Sequence, residues 1–87
     1  ITLADLETIQ ELDIYGDASS IPDKISDYKN LNTLLALNGT ISEIPTSITK
    51  LTKLTRINVD NNNFQEFPMI LLQMPSLSSI EINRNKI

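Results

Sequence analysis

Three prolines set the ground plan of this chain. Each follows a large apolar residue, as Ile21-Pro22, Ile44-Pro45 and Phe67-Pro68, and successive pairs stand 23 residues apart. Beyond each proline the apolar side chains fall at the same offsets: Ile25, Tyr28 and Leu31, then Ile48, Leu51 and Leu54, then Leu71, Met74 and Leu77. A shorter beat follows, as Leu31-Leu34-Ala36, Leu54-Ile57-Val59 and Leu77-Ile80-Ile82, with Ile9-Leu12-Ile14 opening the series. Leu3 and Leu6 match the positions of Leu71 and Met74. A fixed period of this length restricts a chain to stacked repeats, because one unit cannot bury its own apolar face and needs its neighbours to cover it.

The two beats differ in kind. In the short one apolar positions alternate, so they point to one side of a strand. Past the proline the steps are four, three and three residues, a helix-like spacing that turns one stripe inward. A proline fits the opening of that return segment, where its fixed φ is compatible and its missing donor is tolerated. The chain therefore reads as one segment, 1–87, made of a partial repeat 1–8, repeats 9–30, 31–53 and 54–76, and a partial repeat 77–87. It starts at Ile1 rather than Met and reads as a processed chain or an excerpt of a longer repeat domain. No polar capping helix precedes Leu3 or follows Ile87, so open edge strands and apolar end faces are expected, covered by caps or further repeats outside this sequence or by a second copy.

Written out, the pattern is LxxLxLxxNxLxxLPxxLxxLxx, stated most fully by "LTRINVDNNNFQEFPMILLQMPS". It resembles the leucine-rich repeat family in its proline-bearing form, found in Ras-pathway scaffold proteins, plant intracellular repeat proteins and secreted spirochaete repeat proteins. The resemblance covers the whole chain. It implies a right-handed α/β solenoid with a parallel concave sheet, short helical or 3-10 turns on the convex side, and a protein partner on the concave face.

The ninth position of the pattern calls for Asn, whose amide donates and accepts between adjacent coils. Its occupants here are Asp17, Gly39, Asn62 and Asn85. Asp17 can accept but not donate when ionised, and Gly39 can do neither, which would leave water or Asn38 to serve that turn. Repeat 1 is also a residue short, and its turn "GDASS" lacks the large apolar residue that Ile41 and Phe64 supply. Repeats 1 and 2 are thus expected to be looser than repeat 3.

Composition narrows the chemistry. There is no Cys and no His, which removes disulfides, thiolate zinc sites and the commonest general base. The net charge is −4 and no Lys/Arg cluster exceeds two neighbours, which argues against a nucleic-acid or anionic-membrane surface. No apolar run approaches a membrane span. Asp13 and Glu81 share a rank of the sheet but sit three strands apart, roughly 14 Å, too far for a glycosidase pair. "DNNN" at 60–63 places Leu71 where a calcium loop needs its bidentate Glu, and Ser76, Ser78 and Ser79 have no base to activate them. Asn38-Gly39-Thr40 fits the N-glycosylation pattern, which matters only in a secreted eukaryotic protein. No cofactor, metal site or enzyme activity is expected.

The outward strand positions carry the functional expectation. One rank reads Asp13, Leu35, Asn58, Glu81 and the next Tyr15, Leu37, Asp60, Asn83. Both are polar apart from Tyr15, Leu35 and Leu37, which lie on neighbouring strands. An apolar cluster on the face where this family binds suggests contact anchors, with Arg56, Asn58, Asp60 and Glu81 supplying polar selectivity. Four short strands give a face of roughly 300 Å², against about 800 Å² per partner in a standard interface, so loops, convex residues or further repeats must contribute to tight binding. On the convex side Met69, Ile70 and Leu72 occupy offsets that earlier repeats fill with polar residues; they are either covered by neighbouring turns or form a second contact surface. The leading reading is a non-catalytic protein-interaction module. The alternatives are the recognition arm of a larger enzyme or effector, and a structural repeat that self-assembles through its uncapped ends. Compartment leans to secreted or cell-surface, with a cytoplasmic setting left open.

Overall fold

A computed structural model describes residues 3–15 and 18–87. The elements alternate along the chain: α1 (Leu3–Thr8), β1 (Glu11–Asp13), a first 3-10 turn (Asp23–Asp27), β2 (Thr33–Leu35), a second (Thr46–Lys50), β3 (Arg56–Asn58), a third (Met69–Gln73) and β4 (Ser79–Glu81). The four strands form one parallel sheet in sequence order. Register follows the repeat: Leu12 pairs with Leu34, Leu34 with Ile57, and Ile57 with Ile80.

Each 3-10 turn begins directly after a proline. Pro22, Pro45 and Pro68 hold φ of −68°, −67° and −73°, near the value the ring imposes. The proline carbonyl then accepts the first i→i+3 bond, from Ile25, Ile48 and Leu71 at 3.0–3.1 Å. The same three residues are each buried within their turn. The helix-like spacing of the sequence thus resolves into one tight 3-10 turn per coil. Residues flanking the turn complete the layer opposite the sheet: Ile21 and Ile44 before it and Leu51 and Met74 after it are also buried.

Between sheet and turns lies a core one side chain thick per coil. Leu31, Leu34, Ala36, Ile41, Ile44, Ile48, Leu51, Leu54, Ile57 and Val59 are all buried, as are Phe64 and Leu71. Leu12 on β1 and Ile80 on β4, the sheet's outer strands, are only half-buried. Phe64 fills the turn that Ile41 fills one coil earlier, while Ala18 packs only partly against the core in the short first repeat.

The turns after the strands share a special backbone. Asn38, Asn61 and Arg84 hold φ of 60°, 59° and 56°, at the position where repeat 1 carries Gly16, which with Asp17 lies outside the described residues. Asn tolerates the left-handed region, whereas an ordinary side chain costs about 1–2 kcal/mol there. Arg84→Asn should therefore raise stability by about 0.5–1 kcal/mol, read as an upward shift of the denaturant midpoint at unchanged m-value.

Candidate functional site

Two features sit on the strand and turn positions of the repeat: a ladder of asparagine amides beneath the turns and a divided outer face on the sheet.

The ladder is built by Asn62 and Asn85. Asn62 is 3% exposed. Its Oδ1 accepts the Gly39 and Ile41 N–H groups, both at 3.1 Å, and its Nδ2 donates to the carbonyls of Ala36 at 2.8 Å and Val59 at 2.9 Å. Asn85 repeats the arrangement one coil on: Oδ1 accepts the Phe64 N–H at 3.0 Å, and Nδ2 donates to Val59 at 3.1 Å and Ile82 at 3.2 Å. Each Asn closes the turn of the coil before it. The turn of repeat 2 is therefore served by Asn62, not by water or Asn38 as the sequence suggested. The looseness expected of repeats 1 and 2 relative to repeat 3 falls in part on Asp17, which lies outside the described residues.

Gly39 has its own reason. A Cβ built on it would lie 2.3 Å from the Ala18 carbonyl oxygen and 2.9 Å from Asn62 Oδ1. The backbone of the first coil runs so close that Thr40 N–H bonds the same carbonyl at 2.9 Å. No side chain, Asn included, fits there without displacing main chain. The departure from the repeat pattern is an accommodation of close approach.

The outer face of the sheet is two surfaces side by side. Over β3 and β4 the polar side chains engage one another. Arg56 donates Nε to Glu81 Oε1 at 2.9 Å, its Nη2 lies 2.8 Å from the same oxygen, and Asn58 Nδ2 donates to Glu81 Oε2 at 3.1 Å. Asn58 Oδ1 accepts the Asp60 N–H at 2.9 Å, and Asp60 Oδ1 accepts the Asn83 N–H at 2.6 Å. Asn58 is only 7% exposed beneath this pair, so it supports the face more than it offers itself. The Arg56–Glu81 pair is partly solvated and contributes at most about 1 kcal/mol to stability, but it fixes the position of both head groups and cancels their charge.

Over β1 and β2 exposed Glu11 and Asp13 stand beside the half-buried Thr33 and Leu35. Tyr15 is 83% exposed, and Leu35 and Leu37 are half-buried. Register puts Asp13 beside Leu35 and Leu35 beside Asn58, so the leucine marks the seam between the halves. At the strand ends Leu37, Asn38, Asp60, Asn61, Asn83 and Arg84 line a shallow depression, with Asn61 Nδ2 donating to Asn38 Oδ1 at 2.8 Å. Sequence reasoning singled out Tyr15, Leu35 and Leu37 on these strands. It did not find the diagonal Arg56–Glu81 pair, because the two residues belong to different ranks and meet only through the length of the arginine.

Away from the sheet, Met69 and Leu72 are 64% and 63% exposed, while Ile70 packs partly on the core. The described turns do not cover the first two. No group of three or more His, Cys, Asp or Glu that could hold a metal occurs among the described residues. No helix among them is long and apolar enough to cross a membrane.

A parallel sheet in sequence order, one 3-10 turn per coil and Asn bridges between coils define a leucine-rich-repeat solenoid. Among solved structures the chain is similar to a leucine-rich-repeat protein of Leptospira interrogans, with a TM-score of 0.66 and 17% identity over 95% of this chain. The match spans about a quarter (27%) of that protein's length. No family model matches the sequence, and no curated protein matches it.

Proposed function

We propose that this segment is a non-catalytic protein-interaction module of the 23-residue proline-bearing repeat type, and that its partner docks on the outer face of the sheet. Tyr15, Leu35 and Leu37 are the apolar anchors. Arg56, Asp60 and Glu81 form the polar flank, held in place by their own hydrogen bonds, with Asn58 beneath them. The supporting observation is the exposed Tyr15 ring beside two half-buried leucines, next to polar groups that are already paired. A preordered polar flank loses little entropy on docking, and a tyrosine with two leucines is the kind of anchor that concentrates binding energy. The face is small for a tight complex, so the segment acts within a longer array or binds weakly. The same surface could serve as the recognition arm of a larger enzyme.

The test is selection of displayed random peptides on the protein, with each binder re-measured on Leu35→Asp combined with Tyr15→Ala. Both positions keep solvent access, so the double variant should retain the wild-type circular dichroism and melt within a few degrees. Binders of this face should lose at least tenfold in affinity. If the enriched peptides bind both proteins equally, the docking surface is elsewhere.

A further inference from the structure

A second concavity lies away from the sheet, between the coils of repeats 2 and 3. It has a volume of about 570 Å³ and is walled by Ile44, Phe64, Phe67 and Ile70, with Met69 on its edge. Two carboxylates line the groove, Glu43 and Glu66, one repeat apart on equivalent positions. The Arg56–Glu81 ion pair lies on the sheet, and no lysine or arginine lines this groove.

The chain carries its own comparison. The equivalent place one coil earlier, between repeats 1 and 2, is lined by Ser20, Ile21, Pro22, Asp23, Glu43 and Pro45 and encloses about 340 Å³. Where repeat 3 has Met69, repeat 1 has Asp23 and repeat 2 has Thr46; where repeat 3 has Ile70, they have Lys24 and Ser47. The fold does not require an apolar residue at these offsets, because two coils form the same 3-10 turn without one. Met69 is 64% exposed, and it sits where it can close over a side chain lying in the groove. Methionine suits that task, being flexible and polarizable.

We propose that this groove is a second docking site, and that it takes a partner peptide segment presenting an aliphatic or aromatic side chain next to a lysine or arginine. The apolar side chain enters between Ile44, Phe67 and Met69. The neighbouring cation meets Glu43 and Glu66, whose charges have the same sign as the chain's net −4 and so draw basic segments from solution. An acidic segment is repelled by the same pair, which gives the site its selectivity.

The peptide selection described above tests this with different variants. A class of enriched peptides should carry Lys or Arg within two residues of a Leu, Ile, Met or aromatic residue. Its members should lose at least tenfold in affinity on Met69→Asp. They should lose three- to tenfold on Glu43→Gln combined with Glu66→Gln, and weaken as salt rises from 50 to 300 mM. They should bind the Tyr15/Leu35 double variant as they bind wild type, which separates this site from the sheet face. Met69 and both glutamates line an open groove, and unchanged circular dichroism of each variant checks the fold. The proposal fails if no enriched peptide is sensitive to Met69→Asp, or if the sensitive peptides lack a basic residue or bind equally well when the glutamates are neutral.

Discussion

Asn62→Ala should cost about 3 kcal/mol of folding stability. At 3% exposure the amide sits inside the stack. Its loss leaves the Ile41 and Gly39 N–H groups and the Ala36 carbonyl without their partner. Each buried backbone group left unpaired costs about 1–3 kcal/mol. The Val59 carbonyl is spared, since Asn85 also donates to it. Total stability for a domain of this size sits toward the low end of about 5–15 kcal/mol, so the loss is a large fraction of what exists. A domain of this length loses roughly 4–8 °C per kcal/mol, and the thermal midpoint should fall by roughly 12–24 °C. Asn62→Asp is the sharper companion. It keeps an acceptor for the two N–H groups but sets a carboxylate against three carbonyl oxygens, and it should be no better tolerated than alanine. A fall under 1 kcal/mol for Asn62→Ala would mean that the turns close without the ladder.

Gly39 supplies the second large effect, and its sign runs against the repeat pattern. Restoring Asn at the ninth position is the substitution a consensus argument would recommend, with a gain expected. The structure places the Ala18 carbonyl oxygen 2.3 Å from where any Cβ must go. That atom is main chain, held by its bond from Thr40, so it cannot swing aside as a side chain would. Overpacking of this kind costs about 1–3 kcal/mol. Both Gly39→Ala and Gly39→Asn should therefore destabilise by about 2 kcal/mol or more, measured by denaturant unfolding. A stabilised Gly39→Asn protein would show that the first coil can retreat and that the ladder matters more than the close approach.

These two residues show what the sequence could and could not say. The period fixed the inward ranks, and Leu34, Ile57 and their neighbours are buried where the spacing put them. Strand register followed from the same alignment. Side-chain direction on a strand alternates strictly, so the outward position of Tyr15, Leu35 and Leu37 was legible too. Gly39 was legible as a departure but not as an accommodation. The reason lies in the backbone of another coil, shortened by one residue, and no pattern within repeat 2 encodes that contact. The direction of the ladder was hidden for a related cause: an Asn side chain reaches back to the preceding coil, and spacing alone does not say which neighbour it serves. Asn58 read as an outward polar group and is one by register, yet it is buried under a diagonal ion pair. Met69 and Ile70 stood out as apolar residues at polar offsets, but it takes the fold to bring Glu43, one coil earlier, beside them.

Repeats 2 and 3 are each tied to the next coil by an asparagine amide. A platform of that kind presents its sheet face and its inter-coil groove in fixed relation, and a local defect should stay local. Residue-resolved amide hydrogen exchange on the wild-type protein and on Asn62→Ala tests this most directly. The Ile41 N–H depends on Asn62 and the Phe64 N–H on Asn85. Global destabilisation lowers the protection of both alike, so the ratio between them is the measurement. In Asn62→Ala the protection of Ile41 should fall at least tenfold further than that of Phe64. An equal fall at both sites, or a larger one at Phe64, would contradict the assignment of each ladder asparagine to the turn before it.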